Sequence, residues 1–136
     1  MIQTSKGNTL KSIPLCFVFF FAAVSALAQD HGKPAPKEIR FAAGNIRATV
    51  SGTLAGGREA NYFFKAQKGQ QVTIRNPRWN MFDFRVFSEE NFPDGDFDSS
   101  PTYTFEIPET GDYLFYVRKK MASPRTAKFS MTITIK

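Results

Sequence analysis

A single cysteine, a single histidine and a single tryptophan stand among 136 residues, and each scarcity excludes a chemistry. His31 lies between Gln29 and Lys37, a stretch with a glycine, two prolines and no apolar period, so Ser-His-Asp and Cys-His arrangements lack a histidine held in place. Zinc would need several fixed nitrogen or thiolate ligands, and the chain does not offer them. No glycine loop precedes a helix in the phosphate-cradling manner. After residue 28 no run is apolar enough to cross a membrane. Nor does any stretch of ten or more residues there carry a 3.6-residue apolar period, so any helix is expected to be one turn in a loop. The expectation is a protein that is not an enzyme and takes no cofactor.

What is present begins with an export signal. Lys6 and Lys11 precede an apolar stretch over 13–27, and Ala26-Leu27-Ala28 places small residues where signal peptidase needs them. A membrane anchor is the competing reading, but about 15 residues fall short of the roughly 20 that a span requires. Cys16 follows the bulky Leu15, where lipidation would want a small residue. Residues 1–28 are therefore expected to be cleaved, leaving a chain that starts at Gln29, without cysteine, bound for a bacterial periplasm and free of the membrane. The formal charge of +6 falls to +4, since the removed segment holds two lysines and no acid. Such a surplus favours anionic partners without naming one, and export argues against nucleic acid.

Residues 29–37 read as a flexible lead and 38–136 as one domain. There, short runs with two-residue alternation are separated by Gly, Pro, Asn and Asp clusters, which is the pattern of an all-β protein. Phe129, Met131, Ile133 and Ile135 alternate with Ser130, Thr132 and Thr134; Phe82, Phe84 and Val86 with Asp83 and Arg85; Val72 and Ile74 with Thr73 and Arg75. Tyr113, Phe115 and Val117 face one way, while Leu114 and Tyr116 predict cover on the other side too. Further strands are expected over 39–41, 46–53, 61–66 and 103–107. About eight strands fit an antiparallel β-sandwich better than an oligonucleotide-binding barrel. Gly69 and Gly111 sit where sharp turns are expected, because positive φ costs glycine little.

Four groups of side chains are candidates for chemistry. Asp94, Asp96 and Asp98 resemble the start of a calcium loop, but Ser99 and Phe105 stand where a glycine and a glutamate are needed, which favours a solvated acidic turn. Glu89 and Glu90 are adjacent, so on a strand they would point to opposite faces and not work as a glycosidase pair. The segment over 118–128 joins the last two strands and carries Arg118, Lys119, Lys120, Arg125 and Lys128. With Pro124 stiffening its tip, it could present a guanidinium to a carboxylate in a partner's cleft, or merely guard strand edges. Arg78 and Trp79 follow Pro77 in a turn; they could form a sugar-stacking platform, although such a tryptophan more often folds over the end of a sandwich.

With those residues in place, a resemblance becomes visible. Ser51-Gly52 and Gly56, then Tyr62-x-Phe64-x-Ala66-x-Lys68-Gly69-Gln70-x-Val72, then Pro108-x-x-Gly111-x-Tyr113 and a final strand ending Ile133-Thr134-Ile135-Lys136 resemble the periplasmic inhibitors of g-type lysozyme over about 46–136. The central and terminal parts also resemble pre-peptidase C-terminal domains. The resemblance implies a β-sandwich that blocks g-type lysozyme by placing loop side chains in its substrate cleft, protecting peptidoglycan. It implies two arginines before the last strand and a tyrosine after Ser-Gly as contacts. Here the distal arginine maps onto Arg125. The proximal one falls on Met121, with Lys119 and Lys120 nearby, and the tyrosine position falls on Gly57, beside Arg58. Arg125 is then the expected inserting cation, with Lys119, Lys120 and Arg58 as rim charges. The alternative is a free-standing pre-peptidase-like module that binds cell-wall glycan or an exported protein through Trp79 and Arg78.

Overall fold

The alternating runs pair as two four-stranded sheets. The structure, a computed structural model, describes residues 34–93, 95–121 and 125–136, all within one compact unit, Gly32–Lys136. Its strands are β1 (Lys37–Glu38), β2 (Arg47–Leu54), β3 (Glu59–Ala66), β4 (Gln71–Arg75), β5 (Phe82–Phe87), β6 (Thr102–Glu106), β7 (Gly111–Lys119) and β8 (Ala127–Ile135). One sheet runs β1-β3-β7-β5 and the other β2-β8-β4-β6. Every pairing is antiparallel except β1 with β3. The fold is the expected all-β sandwich. The expected signal peptide lies outside the described residues.

Side chains that alternate inward from both sheets form one core. Phe64, Phe82, Phe84 and Phe115 come from one sheet, Val72, Ile74, Met131 and Ile133 from the other, and all are essentially sealed from solvent. Aromatic contacts cross the layers: Phe82 meets Phe129 with centroids 5.6 Å apart, and Phe84 meets Tyr103 at 6.2 Å. Burying side chains of this kind contributes roughly 1.5–3 kcal/mol each, which lets a cysteine-free sandwich of this size stand.

Three local expectations are corrected. The first strand is Lys37–Glu38 and pairs parallel, while the run expected over 39–41 enters as an irregular segment whose Ile39 is buried and donates its N–H to Phe63 O at 2.8 Å. Asp83 does not face water, since it is 4% exposed beneath a segment that bridges Asp98 to Phe84 and lays Phe97 against the outer face of that sheet. Gly69 has the expected positive φ of 87°, but Gly111 does not; it opens β7 in extended form, paired with Ala66.

The motifs behind the resemblance zip to one another at one end of the sandwich. Gly69 N donates to Ile107 O at 2.8 Å, Ile107 N to Gln70 O at 2.8 Å and Lys68 N to Thr110 Oγ1 at 2.9 Å. The Tyr113 hydroxyl closes the turn onto Glu109 O at 2.5 Å. These residues satisfy backbone groups where strands reverse. Their work is to hold the fold, and three further loops gather at the opposite end.

Candidate functional site: the loop end of the sandwich

At that opposite end, β2 hands over to β3 through 55–58, β4 to β5 through 76–81 and β7 to β8 through 120–126. β3 begins opposite the end of β7, pairing Glu59 with Arg118, and β5 begins there too, pairing Phe82 with Lys119. The three loops are thereby brought together although the sequence separates them widely.

Hydrogen bonds lock them. Gly57 N donates to Lys119 O at 2.8 Å, Lys119 N to Arg58 O at 3.0 Å and Lys120 N to Met81 O at 3.0 Å. The Lys120 ammonium reaches Trp79 O at 2.9 Å. Within the tryptophan loop, Met81 N and Phe82 N both donate to Arg78 O, at 2.9 and 3.0 Å. Buried Asn76 fixes the base through Nδ2 to Phe82 O at 2.8 Å. A loop whose backbone is satisfied in this way presents its side chains in a set direction.

Gly57 has φ of +73°, and a Cβ built on it would lie 2.6 Å from Met121 Sδ. Gly57 and Met121, the two positions expected to depart from the inhibitor pattern, therefore touch. Met121 occupies the space that a side chain at position 57 would enter. Its outer surface remains open: Met121 is 77% and Trp79 50% exposed. Arg58 is exposed in the loop of Gly57, and Arg125 in the loop of Met121. Pro124, expected to stiffen the tip, lies outside the described residues.

Two site expectations do not survive. Lys119, expected as a rim charge, is 1% exposed. It continues the inward series of Tyr113, Phe115 and Val117 by two residues, so the alternation itself held the signal. Its Nζ lies 3.4 Å from Lys120 O, and a charge so enclosed steers no partner. Arg78 is also no free platform cation. Its Nη1 donates to Lys128 O at 2.5 Å, its Nη2 lies 2.8 Å from Met81 Sδ and its guanidinium sits 5.7 Å from the Phe82 ring centroid. Arg78 positions the loop that carries Trp79. Trp79, read as the face of a rival site, instead shares one end with Arg58 and Met121, a convergence that strand order creates and linear sequence hides.

The acidic turn stands apart. Asp98 Oδ1 accepts from Ser100 N at 2.6 Å, Asp96 is exposed, and Asp94 lies outside the described residues. Among the described residues no three His, Cys, Asp or Glu side chains gather as a metal site.

Fold and loops define a small β-sandwich one end of which carries Arg58, Lys120 and Arg125 together with the exposed Trp79 and Met121. Comparison with known proteins places it more closely. No protein-family model matches the chain, and no curated protein matches it by sequence. Among solved structures it is similar to PliG of Aeromonas hydrophila, a periplasmic inhibitor of g-type lysozyme, with TM-score 0.63 and 23% identity over 74% of this chain and 96% of that one. It is similar to Salmonella Typhimurium PliG with TM-score 0.62 and 25% identity, over 75% of this chain and all of that one. A mutant of Escherichia coli PliG gives 0.61 and 26%, over 75% and 100%. These three neighbours are periplasmic inhibitors of g-type lysozyme.

Proposed function

We propose that this protein is a periplasmic, non-enzymatic inhibitor of g-type lysozyme that enters the enzyme's substrate cleft with the loop end of its sandwich. The observation that carries the reading is the meeting of Gly57, Arg58 and Met121 at one locked end, in the loops that also bear Arg125. That end belongs to a fold matching such inhibitors over nearly their whole length.

A lysozyme cleft holds catalytic carboxylates. An arginine inserted there finds an electrostatic partner whose strength grows as water is excluded, and its planar fork suits a carboxylate. Arg125 is that cation. Arg58 and Lys120 border the contact and steer association. Cleft occupation blocks peptidoglycan from the enzyme and thereby protects the cell wall.

The test is peptidoglycan hydrolysis by goose-type, chicken-type and invertebrate-type lysozymes, each with the mature domain or its Arg125→Ala variant. Loss of g-type activity with the wild type, weakened in the variant, supports the reading. Full activity of all three enzymes at micromolar domain rejects it. One observation favours a second reading: Trp79 is half exposed, as a sugar-stacking ring would be. A glycan-binding module would lose peptidoglycan sedimentation on Trp79→Ala and keep it on Arg125→Ala.

A further inference from the structure

The large apolar side chains that stand exposed among the described residues are Ile46, Trp79, Tyr103 and Met121. Two of them share the loop end, and Met121 is the most exposed of all. They flank Lys120, whose backbone N–H is tied to Met81 O and whose ammonium is tied to Trp79 O. No Asp or Glu occurs over 55–58, 76–81 or 120–126, while Arg58, Lys120 and Arg125 do. Exposed methionine, tryptophan and arginine together, without acids, form the composition enriched in the buried centres of protein interfaces.

Met121 is also seated. Its sulfur rests against the Gly57 backbone, in space that any larger residue at 57 would fill, and Gly57 is itself held by its bond to Lys119 O. A methionine already placed loses less rotamer freedom when a partner covers it, and its polarizable thioether adapts to an irregular apolar recess. A charged side chain at 121 would instead demand a carboxylate at the point of contact.

We propose that Met121, seated on Gly57, and Trp79 form the apolar centre of the partner-binding surface, so that the lysozyme bound by this protein offers an apolar recess bordered by carboxylates, with Met121 determining which enzymes fit. The inference rests on the inhibitor reading and specifies the surface chemistry of the partner. Contacts of this type, central and desolvated, dominate binding energy, whereas bordering charges mainly set association rate.

The test is calorimetric titration of the mature domain into g-type lysozyme at several temperatures, with Met121→Ala, Met121→Leu and Trp79→Ala variants. Each alanine variant is expected to weaken Kd about tenfold or more. Met121→Leu should stay within about threefold, because it keeps apolar volume. Met121→Ala should also make the heat-capacity change of binding less negative, the mark of apolar surface left uncovered. Thermal unfolding of Met121→Ala should match the wild type, since the side chain lies outside the core. Tight binding by the wild type with both alanine variants within about twofold overturns this inference and leaves the inhibitor reading standing. Absence of binding by the wild type overturns both.

Discussion

Arg118 holds Asp83 with two bonds, Nε to Oδ1 at 3.1 Å and Nη2 to Oδ2 at 2.5 Å. The two residues are direct partners across β5 and β7, one position from the Lys119 backbone on which Gly57 and Arg58 hang. The Phe97 ring covers the guanidinium at 3.8 Å from its centroid. Hydrogen bonding to Asp83 raises the Arg118 pKa against opposing desolvation, and the charges of Asp83 and Glu59 add to the rise. Because the folded pKa is raised above the already high arginine value, this contribution is intact at every ordinary pH and is lost only in strong alkali.

Arg118→Ala should therefore destabilise the fold by about 2 kcal/mol at any ordinary pH, because it leaves the Asp83 carboxylate buried without its fork. The half-open Arg118 side chain keeps the loss below that of a fully buried pair. Urea unfolding measures it, and Arg118→Lys should recover part of the loss, lacking only the bidentate geometry.

Gly57→Ala should cost about 1 kcal/mol or more, since alanine resists the positive φ and its Cβ collides with Met121. Adding Met121→Ala should relieve the collision but not the backbone strain. A double-mutant cycle on thermal stability should then show coupling between the two positions.

Arg58→Ala should lower the association rate for lysozyme by severalfold in low salt and less in high salt, with little change in dissociation, whereas Lys120→Ala, which also releases the Trp79 carbonyl, should speed dissociation as well. Stopped-flow binding across a salt series separates the two rates. An effect confined to dissociation would contradict the rim role.

Lys119→Ala should act differently from Lys120→Ala. Removing three buried methylenes costs roughly 2 kcal/mol, so the Lys119 variant should melt earlier and yet associate at the wild-type rate once folded. Equal melting points for both variants would contradict the burial of Lys119.

Burial raises the Tyr62 pKa above its ordinary value of 10.0. The unfolded chain then loses this proton first, so stability is full below pH 10 and declines as pH rises from there through the folded pKa. Tyr62→Phe should flatten that alkaline decline in pH-dependent denaturation, leaving stability near neutrality little changed by ionisation.

Much of the architecture was legible because a strand's side-chain period is two. The alternations at Val72 and Ile74, at Phe82 and Phe84, and at Phe129 through Ile135 all point inward as read. The turn chemistry was legible in part: Gly69 takes positive φ as its turn requires, while Gly111 is simply extended. The short β1 was less legible, since Lys37 and Glu38 carry no apolar alternation and pair only because β3 offers an edge.

By itself, then, the sequence determined which residues form strands, which faces turn inward and that histidine, cysteine and metal chemistry have little to work with, because periodicity and inventory are local properties. The tertiary structure decided the site. It sealed Asp83 under Phe97, drew Lys119 inside, set Met121 on Gly57 and brought Trp79 to the end that carries Arg58. Each of these depends on which strands neighbour one another and which outer face is covered, a consequence of pairing between residues far apart in the chain that no short window of sequence contains.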